Sequence, residues 1–136
     1  MIELAILELL RAHAPLLALL GGDPKRIDLV DIPQGTDPPY LTFNLTEGNR
    51  VGKGNLCNPA ALGLLSQTLM LTPWAPTAPK VKAINDAARE ALVGGPRSVA
   101  GAVIQSISWA GYHQWAREPE TNLLTRGQLL TIHHTE

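Results

Sequence analysis

One strongly bounded helical segment, Thr77–Val93, constrains the fold of this chain more than any other stretch. Pro76 precedes it, and Gly94-Gly95-Pro96 follows it. Pro79 falls in the first turn, where its missing N–H costs nothing, and Pro96 forbids continuation. Thr77 is expected to cap the first turn through its hydroxyl, and one of the two glycines is expected to take the left-handed C-cap conformation. The segment therefore predicts a helix with sharp ends.

This helix has a narrow apolar stripe and a charged remainder. The stripe is made of small and branched side chains at helical spacing: Val81, Ile84, Ala88, Ala91 and Leu92. Lys82 and Asp86 lie mostly outside the stripe, four residues apart, and are predicted to pair. Because the stripe is rich in alanine and strand-like runs flank the segment, we expect the helix to lie closely on a sheet.

The remaining elements complete an α+β pattern. An amphipathic helix is predicted over residues 2–12, followed by a short turn at Leu16–Leu20. Strands are predicted at residues 26–32, 40–46, 62–74, 99–109 and 122–134, and Tyr40–Thr46 alternates most cleanly. The predicted order is α-β-β-β-α-β-β, in a single domain spanning 1–136. The fold class is α+β, a mainly antiparallel sheet with helices packed on one face.

Composition excludes several classes of protein. Eleven basic and twelve acidic residues give a net charge of -1, without the basic excess of a dedicated DNA binder. The single Cys57 excludes an internal disulfide and a C-x-x-C motif. The apolar N-terminal stretch is interrupted by charges and by Pro15, so neither a membrane span nor a signal peptide is expected. The expectation is a soluble protein of a reducing compartment.

No motif predicts catalysis, a metal or a cofactor. His133-His134, His13 and His113 lack metal-ligand spacing. The stretch Gly48–Gly54 lacks the spacer and the Ser/Thr of a phosphate loop. Glu118 and Glu120 have no apolar pocket to separate their pKa values. The serines occur in no nucleophile motif, and the three tryptophans are expected to be core or interface anchors. The chain is predicted not to be an enzyme.

The ordered segments resemble the tail-completion, or tail-terminator, family of long-tailed bacteriophages and prophages. The similarity is carried by five stretches: MIELAILELLRAHAPLLALLGG, IPQGTDPPYLTFNL, LMLTPWAPTAPKVKAINDAAREAL, GGPRSVAGAVIQSISW and EPETNLLTRGQLLTIHH. They include a Pro-x-Gly crossover before a Pro-Tyr strand entry and a strand that runs into a helix. A Glu/Pro-rich loop before the last strand completes the pattern. The chain departs from it at Leu124-Thr125-Arg126, where the family often has an aromatic residue followed by arginines.

The resemblance implies a structural virion protein without enzymatic activity. Such proteins form a ring, usually of six copies, on the head-proximal end of the tail tube. The ring ends tube polymerisation and offers the surface that joins the head. The implied partners are further copies of the chain, the tail tube protein, a head-completion or connector protein, and DNA that passes through the lumen without sequence-specific binding. The implied location is the virion tail, assembled in the host cytoplasm, with no membrane partner.

Two loops are the candidate contact sites. The unpatterned stretch after residue 46 is expected to be an arm that orders on assembly: Glu47, Gly48, Asn49, Arg50, Val51, Gly52, Lys53, Gly54 and Asn55. The connection over residues 111–121 is expected to be an axial contact loop, with Tyr112, Trp115, Arg117, Glu118 and Glu120. Arg50 and Lys53 are either charges that face passing DNA or a solvated loop tip.

Two other function classes stay open from the sequence. One is a small α+β ligand-binding or regulatory domain that dimerises through its sheet, which predicts a concave apolar pocket with converging polar groups. The other is an enzyme whose catalytic residues converge only in space.

Overall fold

The computed structural model describes residues 2–30, 38–46, 49–50 and 64–135. The helices and strands within these ranges are α1 Ile2–Ala12, α2 Ala14–Leu19, a 3-10 turn Pro24–Arg26, β1 Ile27–Leu29, β2 Tyr40–Leu45, β3 Asn49–Arg50, β4 Leu64–Ala75, α3 Ala78–Leu92, β5 Arg97–Val99, β6 Ala102–Tyr112, β7 Ala116–Arg117, β8 Leu124–Thr125 and β9 Gln128–Thr135.

The strands form a single sheet in the order β1-β2-β4-β9-β6-β5; the short strands β3 and β8 pair with β4, and β7 pairs with β8. Only β1 and β2 run parallel among the described pairs, and the rest are antiparallel. The predicted α+β class is therefore confirmed. The predicted order is refined by three further short strands, β3, β5 and β7, and the strand predicted at 122–134 is divided into β8 and β9.

The helices lie on one face of the sheet, and the sheet curls around them. Helix α1 contacts both β1 and β5, which lie at opposite ends of the strand order. The alternation predicted for β2 is present, since Leu41 and Phe43 are buried in the core. The same face of β9 buries Leu130 and Ile132. A strongly curled sheet lets a domain of this size enclose its helices in one core.

Pro73 interrupts the central ladder. Strand β4 pairs with β9 up to Leu71–Gln128 and with β8 from Trp74–Thr125 onward, in the same register. Proline has no N–H to donate to a ladder. The partner strand is therefore divided into β8 and β9 opposite this residue.

The ends of α3 differ from the prediction. Thr77 occupies the N-cap position, but its side chain makes no capping hydrogen bond. The C-cap is Val93 in an extended conformation, so the predicted left-handed glycine cap is wrong. Gly94 instead exchanges two backbone hydrogen bonds of 3.1 Å with Ile107, and the guanidinium of Arg97 donates to the Leu92 carbonyl. The helix therefore ends after Leu92 because the following backbone pairs with β6 and because Arg97 binds the last helical carbonyl.

The charge pair predicted on α3 is also corrected. Asp86 pairs with Arg89 at 3.3 Å rather than with Lys82. Both partners are exposed enough for this contact to be weak. Because Asp86 pairs with Arg89, the ammonium group of Lys82 has no ion-pair partner among the described residues.

Candidate functional site

A cluster of aromatic rings and arginines lies where β6 ends beside α3. The rings of Trp109 and Tyr112 meet edge to face, with their centroids 5.2 Å apart. The Arg89 guanidinium lies 5.5 Å from the Trp109 ring centroid. The Arg126 guanidinium lies 4.3 Å from the centroid of Tyr112 and 5.5 Å from that of Trp115. We call these five residues the cation–aromatic cluster.

A bulge in β6 brings two of these rings together. Residues three apart in a regular strand point to opposite faces. Trp109 pairs with Leu130 and Tyr112 pairs with Gln128, with a register shift between Trp109 and Gly111. The bulge inserts one extra residue in β6, and this places the side chains of Trp109 and Tyr112 on the same face of the sheet. Gly111, at φ 147, supplies the backbone conformation that few other residues adopt.

A cleft opens beside this cluster. It has a volume of about 300 Å³ and is lined by Lys82, Asn85, Tyr112, Trp115 and Arg126. Two of these side chains are cationic, and none of them is acidic. Such a surface favours an anionic group next to an apolar or ring-shaped one.

The floor of the cleft is a buried amide network. Asn85 is 2% exposed, and its Nδ2 donates to the Arg126 carbonyl at 2.8 Å. Gln128 is fully buried, and its Nε2 donates to the Asn85 carbonyl at 2.7 Å. Among the described residues, Asn85 Oδ1 is buried without a hydrogen-bond partner. A buried amide oxygen of this kind is costly until a donor reaches it.

The structure divides the predicted axial contact loop into two parts. Tyr112 and Trp115 line the cleft. Arg117 instead donates to the carbonyl and Oδ1 of Asn122, at 3.1 and 3.0 Å. Glu118 accepts from the Thr121 hydroxyl at 2.7 Å, and Glu120 is exposed. Arg117 and Glu118 therefore stabilise the turn between β7 and β8.

Glu118 also acts on a tyrosine of β2. Burial raises the pKa of Tyr40 above its ordinary value of 10.0, and the Glu118 carboxylate raises it further. The Tyr40 ring lies 6.4 Å from the ring of Trp74, its neighbour on β4.

Most of the predicted arm lies outside the described residues. The exceptions are Asn49 and Arg50, whose backbone forms β3 and pairs with Leu65 and Ser66 of β4. The role predicted for the arm stays a prediction, as does that of the axial loop.

The sheet face opposite the helices carries no Asp, Glu, Lys or Arg on its four central strands. Strand alternation and register place the following residues there: Tyr40, Thr42, Asn44, Ser66, Thr68, Met70, Thr72, Trp74, Val103, Ser106, Ser108, Leu129, Thr131, His133 and Thr135. We call this surface the uncharged sheet face. Depletion of charge, with Tyr, Trp and Met present, is typical of the core of a protein interface.

One serine–histidine contact occurs on the uncharged sheet face. Ser106 Oγ lies 3.3 Å from His133 Nδ1. No described carboxylate hydrogen-bonds to the histidine, and the pair lies on a sheet surface rather than in the cleft. The described residues also contain no group of three or more potential metal ligands.

Comparison with known proteins identifies the family. The family described as Tail completion protein gp17 matches residues 4–131. The chain belongs to this family. It is therefore a structural, non-enzymatic component of the virion tail, and this decides against the ligand-binding and enzyme alternatives.

A solved structure shares the fold of this tail completion protein. A chain from the virion of a native gene transfer agent particle superposes with a TM-score of 0.73 at 15% identity. The superposition covers 98% of this chain and 94% of that one. No curated protein sequence matches significantly.

The helices of the described residues are all too short or too polar to cross a membrane.

The sequence predicted part of the candidate site. Tyr112 and Trp115 were predicted as contact residues. Trp109 was predicted only as a core or interface anchor, and Arg89 and Arg126 were missed, because their contacts with the rings depend on a bulge and on the pairing of elements distant in sequence. The only available signal was the three aromatic residues between positions 109 and 115.

Proposed function

We propose that this protein forms a closed ring, of six copies, on the head-proximal end of the tail tube. The ring ends polymerisation of the tube and provides the surface that joins the head. Its partners are neighbouring copies, the tail tube protein and a head-completion or connector protein, with DNA passing through the lumen. The match to the tail completion family over nearly the whole chain is the observation that carries this proposal.

The uncharged sheet face supports ring formation. A cyclic ring needs two different patches on each subunit. Four strands about 4.8 Å apart and about eight residues long span on the order of 500 Å². A stable interface buries about 800 Å² on each partner. This face therefore has the composition and a large share of the area needed for one of the two patches.

The cation–aromatic cluster and its cleft suit a different contact. Their charge and their aromatic rings contrast with the uncharged sheet face, so they fit an axial partner rather than the neighbouring subunit. We assign the head-joining or tube contact to Tyr112 and Trp115. The segment 47–55 is proposed to act as an arm that orders on assembly.

Tail length tests the proposed function. In virions produced without this protein, tail tubes should exceed their normal length and heads should remain unjoined, as measured by electron microscopy. A chain lacking residues 48–55 should fold, as judged by circular dichroism, and fail to rescue this defect. Tails of normal length with joined heads in the absence of the protein would overturn the proposal, and rescue by the deletion variant would overturn the arm.

A further inference from the structure

We propose that the cleft beside Trp115 is a receptor for an acidic peptide segment of the axial partner. The inference rests on the proposed function only for the identity of that partner. The binding chemistry follows from three residues that line the cleft: Arg126 with its guanidinium, Lys82 with its ammonium group, and Asn85 with its buried amide.

Arg126 supplies the positioned cation. Its Nε donates to the His113 carbonyl at 3.1 Å, and its guanidinium carbon lies over the rings of Tyr112 and Trp115. Within the described ranges, its two Nη groups make no hydrogen bond or ion pair. A guanidinium held in this way has already lost its conformational freedom, so it binds a carboxylate at lower entropic cost.

Lys82 supplies the second cation. It lines the same cleft, and the nearby carboxylate of Asp86 is engaged by Arg89. No described acidic residue pairs with Lys82. Lys82 and Arg126 have no carboxylate between them among the lining residues, so the potential in the cleft is positive. The positive potential is local, because the net charge of the chain is -1.

The amide of Asn85 favours a peptide over a simple anion. Its side chain is almost wholly buried and lines the cleft, and its Oδ1 has no partner within the described residues. That oxygen accepts from an N–H or O–H donor, which an ionised carboxylate lacks. A peptide offers both groups, a backbone N–H for Asn85 and an acidic side chain for the cations.

The aromatic rings argue against a single-stranded nucleic acid. Bases bind such proteins by stacking on open ring faces. Here Arg126 covers Tyr112 at 4.3 Å, and Trp109 contacts the same ring edge to face. The remaining exposed surface of Trp115 is suited to a proline or aliphatic side chain beside the carboxylate.

A peptide titration of the full chain tests this inference. The probes are two blocked hexapeptides, acetyl-(Glu-Pro)₃-amide and its neutral counterpart acetyl-(Gln-Pro)₃-amide, followed by ¹H–¹⁵N NMR. The acidic peptide should shift the Trp115 indole and Asn85 side-chain signals, with a Kd of about 1 mM or tighter. Binding should weaken as salt is raised, because the contacts are charged. The neutral peptide should cause no such shifts.

Lys82→Gln and Lys80→Gln form a matched pair of variants. Both remove one charge from α3, and only Lys82 lines the cleft. Lys82→Gln should weaken binding about two- to fivefold, as expected for one exposed ion pair, while Lys80→Gln should leave it unchanged.

Three results would overturn the inference: no shift at about 5 mM acidic peptide, equal shifts with both peptides, or preferential binding of an oligothymidylate.

The titration does not require a ring. Binding combined with normal tails in the absence of the protein would refute the proposed function alone, and lack of binding by a protein that completes tails would refute only the receptor.

Discussion

At the scale of single residues, Arg97 shows how α3 is ended. Its guanidinium donates to the Leu92 carbonyl, one of the carbonyls that the last turn leaves without a helical partner. A cation at this end also interacts favourably with the helix dipole. Burial lowers the pKa of Arg97 below its ordinary value.

Replacing Arg97 with methionine should lower the free energy of unfolding by about 1–3 kcal/mol, the contribution of a hydrogen bond to a charged group. Urea unfolding followed by circular dichroism measures this. Lys25→Met, an exposed change in the 3-10 turn, should stay within about 0.5 kcal/mol of the parent protein. Equal stability of the two variants would show that Arg97 does not hold the helix end.

Tyr40 gives a pH dependence at the alkaline end. Its pKa in the folded protein is raised above 10.0, so the folded state holds the proton over a range in which the unfolded chain has lost it. The contribution of Tyr40 to the free energy of unfolding is fully present below about pH 10, and it is lost as the pH rises through the pKa of the folded state. Tyr40→Phe should therefore reduce the loss of stability between about pH 9.5 and 11, measured by urea unfolding. An unchanged alkaline profile would contradict this account.

At the scale of elements, periodicity predicted what depends on local spacing. The strand Tyr40–Leu45 and the helices Ile2–Ala12 and Ala78–Leu92 follow from alternating or helical apolar patterns. The β5–β6 hairpin does not follow from such a pattern. Its two-residue turn is Ala100-Gly101, with φ of 49 and 81, and an alanine at the first position gives no turn signal in the sequence. The parallel pairing of β1 also left no local pattern, since register between distant strands is set by tertiary packing.

The uncharged sheet face makes a prediction for the ring. Thr131 lies near its centre, with Thr68 and Ser108 as cross-strand neighbours. Thr131→Lys should leave the fold intact, since the side chain is half-exposed, and should abolish ring formation by burying an unpaired charge at the interface. Thr77→Lys makes the same substitution at an exposed N-cap position and should not affect the ring. Light scattering that finds rings for both variants would exclude this face as a subunit contact.

At the scale of the whole molecule, the tail completion family accounts for a domain without a catalytic constellation in its described residues. Its two prominent surfaces differ in chemistry: the uncharged sheet face is proposed to contact a neighbouring subunit, and the cationic cleft is proposed to contact an axial partner. A ring closes if the uncharged sheet face meets a different patch on the next subunit, whereas pairing of this face with itself gives a two-fold dimer. This difference separates the proposed ring from the sheet-mediated dimer.

The most direct test is the solution mass of the purified protein by light scattering over a concentration series, with negative-stain imaging of the largest species. Closed rings with a central hole and a mass about six times 14.6 kDa are expected. A dimer of constant mass at all concentrations, with two-fold symmetry in the images, would contradict the proposed ring.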